Sequence, residues 1–159
     1  MVNFNTIADL IRLAMDKGVP IHEIVLAKES YDSRKTREKL IVTMAENWQV
    51  MQASIKRGIK NTKHSASGLT GGDAKKIFAY KENAFIGESG IKAAAYAVGI
   101  SEVNAVMGRI VACPTAGSCG ILPAALYMAK EKLAIADDMI IKALFTAAGI
   151  GMVIDQNAS

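Results

Sequence analysis

The sequence predicts an all-α fold. Apolar residues recur at three- and four-residue spacing in run after run, and almost nothing alternates with the two-residue period of a strand. Glycine or proline punctuates the runs where helices end. With 159 residues, 51% of them apolar, the chain suits one ordinary core, so a single compact helical domain with glycine-rich loops is expected over 1–159.

Ile7, Leu10, Ile11 and Ala14 form the first stripe, closed by Gly18 and Pro20. Met1 to Asp16 therefore reads as an amphipathic helix and not as a signal peptide, and a cytoplasmic protein is expected. A second helix starts near Pro20 or Ile21 and runs towards Ser30. Ser33 is then placed to cap a longer helix with Leu40, Ile41, Met44, Trp48, Met51 and Ile55 on one face, ending at Gly58. Residues 60–72 have no periodicity and form a loop, after which Asp73 is expected to cap a short helix through Tyr80. Separate helices follow over 88–98 and 101–111, the second with Val103, Val106, Met107 and Ile110 in register, and then over 120–133. Pro123 is tolerated in the first turn of the last of these, where its missing N–H has no partner to lose. The run from Met139 to Ile154 is apolar apart from Lys142 and Thr146 but falls short of the about 20 residues that span a bilayer, so a buried helix is expected and no membrane association.

A net charge of +4 is modest, yet Arg34, Lys35, Arg37, Lys39, Lys56, Arg57, Lys60, Lys63, Lys75 and Lys76 cluster. They have little aromatic interleaving and no groove-reading motif, so a solvated helix face is favoured over nucleic-acid binding. His22 and His64 are the two histidines, and no Ser-His-Asp or HExxH arrangement is assembled from them by spacing. Asp137 and Asp138 read as the acidic first turn of the final helix, and the methionines as core fillers.

Two segments concentrate chemistry. Asn61 to Asp73 gathers hydroxyls, glycines, Lys63 and His64 ahead of a helix start, which suits a carboxylate; a mobile surface connection fits the composition equally well. The segment matches neither a P-loop nor a dinucleotide fingerprint. Ala112 to Pro123 holds both cysteines, Cys113 and Cys119, in a small-residue loop opening onto a helix, where the macrodipole would lower a thiol's pKa. Buried thiols are the base case; a redox pair lacks the two-residue separation and strand context usual for one, and for a metal site these two could give only part of the ligand set.

Taken together, Ser65-Ala66-Ser67-Gly68-Leu69-Thr70-Gly71-Gly72-Asp73-Ala74, Cys113-Pro114-Thr115-Ala116-Gly117-Ser118-Cys119-Gly120-Ile121-Leu122-Pro123 and Ile154-Asp155-Gln156-Asn157-Ala158-Ser159 resemble the alpha subunit of iron–sulfur-dependent L-serine dehydratases. The segments follow that family's order, and the resemblance covers the N-terminal part of the subunit, so the 159 residues are expected to be a truncated portion of its catalytic domain. The resemblance implies deamination of L-serine to pyruvate and ammonia without pyridoxal phosphate. It implies a four-iron four-sulfur cluster held by three cysteines, with one iron open to bind the substrate hydroxyl as a Lewis acid.

By the same resemblance Cys119 stands at the first cluster ligand, and Cys113 is a neighbour of the site and a weaker ligand candidate. Thr115, Ala116 and Gly117 match the loop beside the cluster, and Ser65, Ser67, Gly68, Thr70 and Gly71 match the loop near the substrate. No residue is assigned as catalytic base. The family's remaining cluster cysteines and a serine- and histidine-containing beta segment have no match here, so a beta subunit and an oligomer are implied. The 159 residues alone are expected neither to hold an intact cluster nor to turn over serine. The alternative is a non-catalytic helical module whose Cys119 loop binds a partner or an anion.

Overall fold

Thr6 starts the first helix by a capping box: its Oγ1 accepts from the Asp9 N–H at 3.1 Å while Asp9 Oδ2 accepts from the Thr6 N–H at 3.2 Å. The coordinates, a computed structural model, describe residues 2–158 apart from 81, 83, 84 and 114. Pro114 of the cysteine segment and Ser159 of the closing one thus lie outside the described residues. Among the described residues there are seven helices and no strand: α1 (Ile7–Lys17), α2 (Ile21–Ser33), α3 (Arg37–Gly58), α4 (Asp73–Ala79), α5 (Gly87–Ala105), α6 (Ile121–Leu133) and α7 (Asp137–Asn157). The all-α expectation holds.

The chain divides into two compact units, Met1–Ala45 with Asp137–Ser159, and Glu46–Ala136. In the first, α1 ends on Gly18 in the left-handed region, and α2 and α7 pack against it. Phe4, Leu10, Ala14, Ile24, Val25 and Val153 form one buried cluster, and Leu26, Leu40 and Phe145 another. Gly149 is required in α7, because a Cβ there would run into the buried Val25 side chain. Asn157 Nδ2 donates at 2.8 Å to the Asn5 carbonyl, tying the end of α7 to the segment before α1. No helix among the described residues is long and apolar enough to cross a membrane.

The second unit is built around α5. Its buried residues Tyr96 and Ile100 cluster with Ile55 of α3, Cys119, and Ala124 of α6, and Phe78 of α4 packs alongside. Trp48, Tyr127, Tyr96 and Phe78 form a chain of ring contacts, of which Tyr96 and Tyr127 meet edge to face at 5.2 Å. Two backbones touch where α3 ends: a Cβ on Gly58 would overlap the Gly99 carbonyl, and one on Gly99 would lie 3.1 Å from Gly58 Cα.

Four local readings need correction. One helix, α5, replaces the two expected over 88–98 and 101–111, because Gly99 is a packing glycine inside it and not a break. Past Ala105 the chain turns through Met107, held at φ 58, so Ile110 is not helical. Ser33 does not cap α3; it lies in α2 with its Oγ donating to the Glu29 carbonyl at 2.6 Å, and Thr36 Oγ1 accepts from the Lys39 N–H instead. Asp73 is the first residue of α4, not its cap.

Gly58→Ala is expected to destabilise by about 3 kcal/mol in urea unfolding, since neither backbone can yield, whereas Gly151→Ala, in open space within α7, should gain about 0.5–1 kcal/mol. A pH dependence follows from the tyrosines. Burial and then the hydrogen bond from Tyr96 Oη to Glu131 Oε2 (2.8 Å) push the Tyr96 phenol well up, and burial and Glu131 also raise Tyr127. A folded-state pKa above the unfolded value gives stability that is complete below the unfolded pKa and lost as pH rises through the folded one. Unfolding free energy should therefore be level near neutrality and fall above about pH 10, less steeply in Tyr96→Phe.

Candidate functional site

The loop before α4 is closed on itself. The Ser65 N–H donates to the Thr70 carbonyl at 2.8 Å, the Gly68 N–H to the Ser65 carbonyl at 2.9 Å, and the Ser65 and Ser67 hydroxyls lie 3.1 Å apart. Gly68 sits at φ 73, a left-handed turn position. Gly71, at φ 143, is buried with its Cα facing the Lys63 carbonyl, so any side chain there would collide. Of the five residues expected near substrate, Ser67 and Gly68 are exposed, Ser65 and Thr70 half-buried and Gly71 buried.

What ties this loop down is a residue the sequence reading passed over. Glu102 of α5 is 1% exposed, and its carboxylate accepts from the N–H groups of Gly72 at 3.0 Å, Asp73 at 2.6 Å and Ala74 at 3.1 Å. It satisfies the first free donors of α4, the task expected of Asp73, whose own Oδ1 pairs with Lys76 Nζ at 3.1 Å. The signal in the sequence was a glutamate on the apolar face shared by Gly99 and Val103. Beside the loop a cleft of about 430 Å³ is lined by Thr62, His64, Gly71, Gly72, Lys75, Lys76 and Ala79.

The cysteine loop is organised by a second missed residue. Ser118 Oγ donates to the Cys113 carbonyl at 3.0 Å and lies 3.0 Å from Thr115 Oγ1, while the Ser118 N–H donates to Thr115 Oγ1 at 3.3 Å. Thr115, Ala116 and Gly117 form the exposed rim. Cys119 is fully buried at the start of α6, and Gly120 behind it abuts the Ala97 carbonyl of α5, leaving no room for a Cβ. Ala97 and Glu102 are five residues apart, about 7.5 Å along the helix axis. α5 thus carries the anchor points of both loops.

The electrostatics of Cys119 differ from the expectation drawn from its helix-start position. Burial pushes its thiol above the ordinary range, outweighing the hydrogen bond from its own backbone N–H that works the other way. Cys113 is raised too, by burial first and by the neighbouring Cys119 second; its Sγ is 3.6 Å from the Val111 carbonyl. Neither cysteine is in a disulfide. Among the described residues no three His, Cys, Asp or Glu side chains converge as a metal site. A four-iron cluster needs at least three thiolates, so this donor set fits as a contributor of one or two ligands and not as a complete holder.

The serine dehydratase alpha chain family model matches residues 16–159. The chain belongs to this family. It is 39% identical over 158 residues to the probable L-serine dehydratase alpha chain of Bacillus subtilis (strain 168), covering 98% of this chain and 52% of the relative. It is 35% identical over 157 residues to the L-serine dehydratase alpha chain of Peptoniphilus asaccharolyticus, covering 98% and 54%. To the L-serine dehydratase of Streptomyces coelicolor it is 32% identical over 164 residues, covering 98% and 35%. The chain thus spans about half the length of the first two serine dehydratase alpha chains.

Native alkylation should be slow. With both thiols raised and Cys119 buried, iodoacetamide at pH 7 should modify Cys113 first and Cys119 only after unfolding in urea, as peptide mass spectrometry would read. Faster reaction at Cys119 than in a free cysteine would contradict the burial.

Proposed function

We propose that the chain is part of an L-serine dehydratase, an ammonia-lyase converting L-serine to pyruvate and ammonia without pyridoxal phosphate, in the cytoplasm and together with a beta subunit. The observation that carries this reading is the chain-long similarity to proteins named L-serine dehydratase alpha chain, at 39% and 35% identity. The two site loops add support, because both are anchored on α5, one through Glu102 and the other through the contact of Gly120 with the Ala97 carbonyl.

Cys119 is the proposed cluster ligand, with Cys113 as a neighbour or second ligand and the remaining ligands supplied by residues other than those described. The cluster, when bound, supplies a Lewis-acidic iron. The chain's own residues do the rest. The Ser65, Ser67 and Thr70 hydroxyls bind and orient the substrate, and Gly68 and Gly71 give the loop the turn and the close packing that hold those hydroxyls in place. Lys75, and Lys76 beside its Asp73 partner, give the adjoining cleft the positive charge that a carboxylate requires. Thr115, Ala116 and Gly117 form the rim beside Cys119, held in shape by Ser118.

The test is anaerobic reconstitution of the full-length chain with its beta partner, scored by bound iron, sulfide and pyruvate formed from L-serine. The parent should carry all three, and Cys119→Ser should lose cluster and turnover together. An iron-free, inactive parent would favour the non-catalytic helical module.

A further inference from the structure

We propose that Glu102 is a positioning residue of the site: by accepting hydrogen bonds from the Gly72, Asp73 and Ala74 N–H groups it fixes the backbone that forms the wall of the 62–79 cleft and the end of the 65–71 loop. The inference rests on the reading of that loop as the substrate-binding element.

Glu102 is the one charged side chain that is buried among the described residues, and burying a carboxylate is costly unless the charge is fully hydrogen-bonded. Stabilising a helix of seven residues, Asp73–Ala79, would not call for it, since a serine, threonine or aspartate at the cap serves the same purpose from the surface. The anchor acts one residue from the loop. Gly72 donates its N–H to Glu102 and lines the cleft, and Gly71 next to it is wedged against the Lys63 carbonyl. Thr70, next again, closes the loop by accepting from the Ser65 N–H. A shift of the Gly72 amide is therefore passed to Thr70 and Ser65 through Gly71, whose packing against the Lys63 carbonyl takes up its freedom. Its negative charge also lies behind a wall that presents His64, Lys75 and Lys76 to the cleft.

The experiment uses the assembled enzyme and two independent variants. Glu102→Gln keeps the shape but turns an N–H₂ group towards backbone donors. Gly72→Ala leaves Glu102 intact and adds a Cβ in open space, straining only the φ of 81 at the joint. Both should keep the parent's iron content and circular dichroism and raise KM for L-serine by about ten-fold or more, with kcat within about three-fold. The double variant should be little worse than either single one, because both act on one joint. KM within two-fold of the parent in both folded variants would overturn the proposal, even with a lowered Tm, since a merely structural role moves Tm and not KM. Should Glu102→Gln not fold, Glu102→Asp, which keeps the carboxylate but shortens its reach to the Gly72, Asp73 and Ala74 N–H groups, takes its place under the same KM criterion. A parent that forms no pyruvate would sink the dehydratase reading instead. Hydrogen exchange then tests the anchor: about ten-fold faster exchange at Gly72–Ala74 and Ser65 in Glu102→Gln upholds it, and unchanged exchange refutes it.

Discussion

A carboxylate without water has to find its hydrogen bonds in the protein, and in this chain Glu102 finds three of them on consecutive peptide N–H groups. That constraint locks α4 to α5 and sets the exit direction of the loop before it. Two further fixed points sit nearby on the same helix. Gly99 meets the end of α3 backbone to backbone, and the Ala97 carbonyl meets Gly120 at the start of α6. Ala97, Gly99 and Glu102 thus make α5 the frame on which a hydroxyl-rich loop and a cysteine loop are mounted. Close-packed backbones leave little slack, so the loops inherit the precision of the helix.

The placement of Cys119 is a contest between two electrostatic effects. A helix start favours a thiolate by about 0.3–1 kcal/mol, while loss of solvent around a buried thiolate costs considerably more. Burial wins, and the thiol is raised. Such a group is inert as a nucleophile at neutral pH but suited to hold a metal ion, whose charge replaces the lost solvation. The buried position therefore counts against nucleophilic chemistry at Cys119, and ligation there is our proposal.

Much of the fold was legible because periodicity and punctuation agree. Gly18 and Gly58 end their helices as read, and the stripes through Leu10, Leu40, Trp48 and Ile55 face cores. Both site loops stand out by composition alone. What escaped was tertiary. Gly99 looks like a helix breaker, since glycine costs about 0.5–1 kcal/mol against alanine within a helix, and only the approach of Gly58 explains it. Asp73 is an ordinary cap candidate, and nothing local reveals that a residue 29 positions away does the capping. Ser118 is invisible for the opposite reason: its hydrogen bonds are local, but a serine among small residues carries no periodic signal.

The most direct measurement is hydrogen exchange of the assembled protein with and without saturating L-serine, read together at residues 61–72 and 113–120. Two loops mounted on one helix as one site should both gain protection at the same serine concentration. Protection confined to one loop, or present in neither, would contradict a shared site framed by α5.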